Sequence, residues 1–565
     1  MRRSDRNARR LYRPGSHVGH GGVVKLPSDV GRRGFSPVRS GAGSMRRRQF
    51  LSCAGAAAGA VLAGRWATGN ALAPASAAPA PKRGGQVTWG MVQDPVAVIP
   101  FGAGNGSNFE ITALVYESLL GWDRNLNIVP ALAESWEVPN TKTYIFHLRK
   151  GVKFHSGKDL DASDVKYSLE RQKNPPPPGA DQGFYPNIGA VTVTDKYTVR
   201  VLMNEPDASM LGYLAWGRYS WIIPNGLYER MDLRTRVDGT GPFKLDEFIP
   251  NDHATLSRFK DYWRPRLPYL DAVTMKVMPD EGARVAALRS GAIDGATLTA
   301  DSARALAGDA SLQILKGLTA STEELEYTLY GGKPWDNVKV RQAINAAINR
   351  QEIIDKVYSG DGVYTSKTPP GFGPWPISPN DLKAKWEKYD LAKAKALMAE
   401  AGVANGFPVT LQTQARVKPL IETSEVLKAQ LKQINIEVTV QPLEIGIFAR
   451  NNNNGDFDWA LTFRRMRGDV SQFYSDFHPT GVIMKTLFKG YSNSELGNLY
   501  LQGLRTTDQR QRQGIYRRID DILMTDWPEI PLVVGMKYMV ARKRLTNMYA
   551  SYEDTERGLI EAWVE

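Results

Sequence analysis

The sequence predicts an α/β protein with mixed sheets, divided into at least two lobes. Three observations carry that prediction. Segments with strand alternation recur between segments with helical spacing, at intervals that suit α/β units. About 490 residues follow a distinct leader, whereas single cores stop growing near about 250–300 residues. No internal repeat offers a solenoid instead.

The leader comes first. Residues 1–44 are rich in Arg, Gly, Ser and Pro without apolar periodicity, which predicts a disordered or mis-annotated extension. Residues 45–77 read as a twin-arginine signal peptide: Arg47-Arg48-x-Phe50-Leu51, a mild apolar run to Leu62, and a small-x-small site at Ala75-Ser76-Ala77. The run is too short to span a membrane. Cys53, the sole cysteine, precedes the apolar run, where a lipoprotein cysteine would follow it, so no lipid anchor is expected. Residues 1–77 hold 14 Lys+Arg against 2 Asp+Glu, and the remainder holds 58 against 57. The basic balance therefore belongs to the leader and gives no support for nucleic-acid binding. The expected product is a soluble periplasmic monomer.

The elements follow in order. QVTWGM, after Gly84-Gly85, alternates as a strand. Residues 109–120 have helical spacing, with Ile111, Leu114, Val115 and Leu119 on one stripe. Gly121, Trp122, Asp123 and Pro130 mark a turn, and residues 143–149 alternate as a strand. Asp161, Ser163 and Asp164 open a capped helix. Pro175 to Pro178 form a rigid loop, and VTVTDKYTVRVLM reads as a hairpin. Gly239-Thr-Gly241-Pro242-Phe243 interrupts any regular element. Residues 334–357 predict one long helix begun by Pro334. A helix over 422–433 leads into the strand IEVTVQPL, and FDWALTFRR supplies another strand.

Taken together, these pieces closely resemble the family 5 extracellular solute-binding proteins, the ABC-importer receptors for dipeptides, oligopeptides, nickel chelates, opines and some sugars. The resemblance runs over most of residues 84–550. It is carried by LVYESLLGWDRNLNIVPALAESWEV, YIFHLRKGVKFHSGKDLDASDVKYSLER, GTGPFKL, YWRPRLPYLDAVTMKVMPDEGARVAALRSGAIDGA, PWDNVKVRQAINAAIN, KALMAEAG and PEIPLVV. It implies a two-lobed periplasmic binding protein type II fold with an extra subdomain in the N-terminal lobe. On that pattern 84–113, 231–312 and 522–565 form the first lobe, 114–230 the extra subdomain and 313–521 the second lobe. It also implies a ligand enclosed by hinge closure, and partners in a membrane permease and its ATPase.

One departure bears on the ligand. Peptide-binding members carry a segment of the form WTGDNGDPDNF, whose first Asp holds the peptide's α-amino group. The aligned residues here run from Phe463 to Phe473, with Met466 at the amine-anchoring position among Arg464, Arg465 and Arg467. One like-charge contact at about 4 Å is worth about 4 kcal/mol at an effective dielectric near 20, enough to exclude an ordinary peptide amine. Guanidinium forks suit carboxylate or phosphate instead. The expected ligand is a small anionic solute: an opine, a sugar-phosphate conjugate or an acidic peptide. Alternation from Trp459 sets Arg465 and Arg467 opposite Arg464, so the three cannot all line one cavity on a continuous strand. Asp469 in the same segment, Phe372 and Trp375 in the PPGFGPW loop, Trp216 or Trp221 as stacking faces, and Asn105 in GAGNGSN complete the candidate contacts. A receptor for oligopeptides or neutral oligosaccharides is the alternative.

Enzyme chemistry finds little support. His147, His155, His253 and His478 form no HExxH or HxH pair, so a metal site lacks ligands. No GxSxG elbow, P-loop or GxGxxG after a strand is present, and no cofactor is expected. Glu323-Glu324 and Asp520-Asp521 read as helix-face charges without assigned chemistry.

Overall fold

Period-two burial builds the sheets. In the strand Thr143–Leu148, Tyr144, Phe146 and Leu148 are buried while Ile145 and His147 are half-buried, as one covered face requires. The computed structural model describes residues 80–565 apart from 96, 102–105, 174–184, 218–219, 387, 466–467 and 553–556. The leader, the signal, Asn105, Met466, Arg467 and the Pro175 to Pro178 loop lie outside the described residues.

Three main sheets result. The first has the order Leu312–Leu318, Val533–Arg542, Gly295–Leu298, Gln86–Met91, Ala272–Val277, His253–Arg258, Phe243–Ile249, with Gly362–Tyr364 added beside Val533–Arg542. The second runs Ile436–Leu443, Phe407–Gln414, Trp459–Arg465, Ser321–Tyr327, Glu529–Pro531. The third is an antiparallel sheet of Ala133–Asn140, Thr143–Leu148, Thr198–Met203 and Ile188–Asp195, covered by the helix Ala162–Lys173. Each sheet packs its own apolar core. These are two lobes and a subdomain inserted in the chain between the helix Gly106–Val115 and the strand Phe243–Ile249.

Apart from Gly362–Tyr364, which joins the edge of the first sheet beside Val533–Gly535, the chain passes between the two large sheets twice. It leaves the first sheet at Leu318, enters the second at Ser321, and returns through Leu532. These crossings lie several residues beyond the expected 312/313 and 521/522. They run side by side: Thr319 N–H donates to the Gly535 carbonyl at 3.1 Å, and Leu532 N–H to the Glu323 carbonyl at 2.8 Å.

Two helices differ from expectation, each for a local reason. The expected helix over 109–120 ends at Val115. Gly241 N–H takes the Val115 carbonyl at 2.8 Å, and the GTGPF segment lies so close that a Cβ on Gly239 would come 2.1 Å from that oxygen. The expected long helix over 334–357 divides into Val338–Ala347 and Arg350–Val357. The Asn349 side chain accepts from Glu352 N–H and so starts a second helix.

Candidate ligand-binding site between the lobes

Strand direction places the site. In the first lobe the parallel strands Gln86–Met91, Ala272–Val277 and Gly295–Leu298 end on one edge. In the second lobe Phe407–Gln414, Ile436–Leu443 and Trp459–Arg465 are parallel and end together. Ser321 pairs with Arg465, so the chain enters the second lobe at that same carboxyl edge. The carboxyl edges therefore meet across the crossings, where open α/β sheets leave room for ligands. A cavity of about 440 Å³ lies there. The first lobe lines it with Val92, Glu110, residues 298–301 and residues 536–538, and the second with Tyr358, Asp361, Lys418, Pro419, Glu422 and Arg465.

Arg465 and Arg464 divide as alternation requires. Arg465, at the strand's end, is exposed and lines the cavity, with no ion-pair partner among the described residues. Lys418 begins the helix Lys418–Leu431, which has no capping side chain and no acid in its first turn. Its positive dipole end is therefore uncompensated where it meets the cavity. Lys418 itself reaches Glu422 at 3.6 Å. The carboxylate of Asp361, on the same second-lobe side as Arg465, is engaged. Asp361 is bound by Arg304 at 2.8 Å, by Lys316 at 3.0 Å and by the Tyr538 hydroxyl, and that hydroxyl first among them holds its carboxyl down to about 2.

Arg464 turns to the other face, where Glu326 binds its guanidinium. Beside them Lys367, wholly buried, reaches Glu324 at 2.8 Å and Asp476 at 3.5 Å and also pairs with Glu529. Burial alone would lower the Lys367 ammonium, but the three carboxylates together hold it well above the usual range. Glu323 and Glu324 are therefore not helix-face charges. Both lie in the strand Ser321–Tyr327 with no exposed surface, Glu324 towards Lys367 and Glu323 towards Tyr358. Asp520 is likewise buried and bound by the Tyr474 hydroxyl at 2.9 Å, while its neighbour Asp521 meets Lys385 at the surface.

The other candidates fall elsewhere. Phe372, Trp375 and Asp469 line a second cavity of about 310 Å³, beside Trp122 and Leu211 of the inserted segment. Asp469 is held there by two bonds from Arg512, and Arg512 lies 5.4 Å from the Trp375 ring centre. Trp221 is buried in the first-lobe core, 6.3 Å from Tyr116, and Trp216 is buried too. Sequence reasoning missed Tyr358, Lys418, Glu110 and Lys537. The sequence did hold a signal for Lys418, since Pro419, a few residues beyond the strand end at Gln414, marks a helix start at a carboxyl edge.

Residues 127–481, more than half of the chain, match the family described as bacterial extracellular solute-binding proteins, family 5 Middle. The chain belongs to that family. A glutathione-binding protein, GsiB of Salmonella choleraesuis, is 28% identical over 481 residues, covering 80% of this chain and 89% of that protein. The structure of AgaA from A. tumefaciens in complex with agropinic acid superposes with a TM-score of 0.71 at 26% identity, covering 85% of this chain and 99% of that one. DppA of Helicobacter pylori in complex with a peptide gives a TM-score of 0.69 at 25% identity, covering 86% and 99%. This family 5 protein has the two-lobed periplasmic binding protein type II fold with an extra subdomain in the N-terminal lobe. It is a substrate-binding component of an ABC importer. No described helix is long and apolar enough to cross a membrane.

Proposed function

We propose that this receptor captures a small anionic solute in the cavity between its lobes and presents it, enclosed, to a membrane permease and its ATPase. One observation carries the reading: Arg465 offers an exposed guanidinium without an ion-pair partner among the described residues, beside Lys418 and the uncapped start of Lys418–Leu431. A carboxylate or phosphate placed there gains a planar fork and a helix dipole together. Two relatives lend it support, AgaA, solved with agropinic acid, and GsiB, named for glutathione, which carries two carboxylates, whereas DppA is solved with a peptide. An opine, a sugar-phosphate conjugate or an acidic peptide fits this chemistry. Closure stores the solute only if the closed state makes the better contacts, and the cavity walls come from both lobes. Export by the twin-arginine signal, release as a soluble periplasmic monomer and the absence of catalysis complete the reading.

Glu110 and Asp301 favour an oligopeptide as the second reading, because they set carboxylates on the first-lobe wall where an amine could rest. Calorimetry with glutathione, agropinic acid, an uncharged dipeptide amide and a neutral trisaccharide separates the two. The anion reading expects binding of an acid, weakened ten- to hundred-fold or roughly so in Arg465→Ala. Equal binding of a neutral ligand by both proteins would contradict it.

A further inference from the structure

The inserted subdomain meets the two lobes in different ways. Its Glu117 carboxylate is bound by first-lobe donors, the Tyr262 hydroxyl at 2.8 Å and the Trp263 ring N–H at 2.7 Å, and its Arg149 guanidinium lies 4.4 Å from the Trp263 ring centre. Its contacts with the second lobe are backbone approaches and ring edges. Ala208 N–H donates to the Leu504 carbonyl at 2.8 Å, in the last turn of the helix Ser494–Arg505, where carbonyls lack a partner within the helix. The helix Met210–Ala215 lies so close to Gly468 that a Cβ on Gly212 would come 2.5 Å from the Gly468 carbonyl oxygen. Gly468 has a φ of +86°, and a Cβ there would come 3.1 Å from the Trp216 ring. Trp122 meets Phe372 edge to face, with ring centres 6.1 Å apart.

Arg512 assembles the second-lobe side of this junction. Its guanidinium binds Asp469 at 2.9 and 2.6 Å, and its Nε donates to the Gly503 carbonyl at 2.9 Å. One buried side chain therefore fixes both partners of the inserted subdomain, the loop at Gly468 and the helix end at Leu504. Asp469, which the sequence pattern set among the ligand contacts, serves here to hold that loop. Both ends of the inserted subdomain run into first-lobe elements, the helix Gly106–Val115 and the strand Phe243–Ile249, and no stretch of its chain enters the second lobe. The junction is therefore free to part when the lobes turn about the crossings at Leu318 and Leu532, while the Glu117 bonds travel with the first lobe.

We propose that the inserted subdomain is a clasp: its seating on the Gly468 loop and the Leu504 helix end sets the balance between closed and open cleft, and glycine at 212 is what lets it seat. The inference rests on the reading that solute is captured between the lobes, and it requires nothing of the solute's charge. A side chain at 212 meets backbone atoms of the opposite lobe, so relief comes from separating the two. The helix itself loses nothing, because alanine forms helix better than glycine by about 1 kcal/mol. Solute that needs the closed form then binds more weakly, in proportion to the fraction of molecules still closed.

Two variants test the clasp from opposite sides, since Gly212→Ala adds an obstruction and Trp122→Ala removes a contact. The first arm needs no solute. Small-angle scattering should give both variants a larger radius of gyration than the wild type, with cooperative melting retained. The second arm is calorimetry with glutathione. Affinity should fall about tenfold or more in both variants, as a closed fraction cut to about a tenth requires. Unchanged scattering and unchanged affinity in both variants overturn the clasp. A lowered melting temperature with unchanged scattering overturns it too, because the junction would then support the fold alone. Glutathione bound by none of the three proteins would count against the solute reading, and scattering would still decide the clasp.

Discussion

Arg464 and Arg465 are adjacent in sequence and serve opposite faces of one strand. Arg464 is held by Glu326 within the second lobe, while Arg465 stands at the interlobe cavity. Substitutions at the two positions should therefore separate stability from binding. Arg464→Ala leaves Glu326, with 1% of its side chain exposed, without its ion partner. The cost should be roughly 3 kcal/mol, the low end for stranding a buried charge. The low end applies because Arg464 keeps 25% of its side-chain surface in solvent and Asn452 still donates to Glu326. Arg465→Ala, at an exposed position, should move stability by no more than about 0.5 kcal/mol. Denaturant melts of both variants check the contrast.

Lys367 supports a larger effect. Its ammonium is shared by Glu324, Glu529 and Asp476, and its side chain is 3% exposed. Lys367→Met should destabilise by about 3–5 kcal/mol, because removing one partner leaves the acids buried and unmatched. Adding Glu324→Gln and Glu529→Gln should recover a substantial part, as apolar or neutral replacement of a whole buried network often does. Equal stability of the single and triple variants would show that the acids do not depend on Lys367.

His155 sets an acid limit. It is buried, with Nε2 3.0 Å from the Gly241 carbonyl, and burial pushes its pKa down to about 4 from 6.5. The unfolded chain takes up a proton before the folded one does. Stability should therefore be complete above about pH 6.5, decline as pH falls, and lose roughly 3 kcal/mol by pH 4 from this group. His155→Phe should flatten that part of the profile, measured as unfolding free energy against pH.

Gly239 tests the ligand-independent architecture. A Cβ there would meet the Val115 carbonyl oxygen at 2.1 Å, and that oxygen belongs to backbone that cannot swing aside. Gly239→Ala should cost about 1–3 kcal/mol or more, seen as a lowered melting temperature. Gly514→Ala, where a Cβ meets nothing within 4 Å, serves as the control.

Local pattern revealed the fold well and the site only partly. Strand alternation located Thr143–Leu148 and set Arg464 and Arg465 on opposite faces, because side-chain direction in a strand is a local property. Helix ends were less legible. Val115 ends its helix because Gly241, more than a hundred residues away in sequence, takes its carbonyl. The Glu323-Glu324 pair looked like surface charge because burial of a carboxylate depends on partners that come from distant segments: Lys367 for one, Tyr358 for the other. Tyr358 and Lys418 escaped notice for the same reason. They become cavity walls only when two carboxyl edges are brought together at Thr319 and Leu532.

Native mass spectrometry of the protein purified without denaturation tests the central claim most directly. The account predicts a co-purified acid, present on the wild type and absent from Arg465→Ala, with both proteins equally folded. A neutral sugar or an uncharged peptide retained equally by both would contradict it.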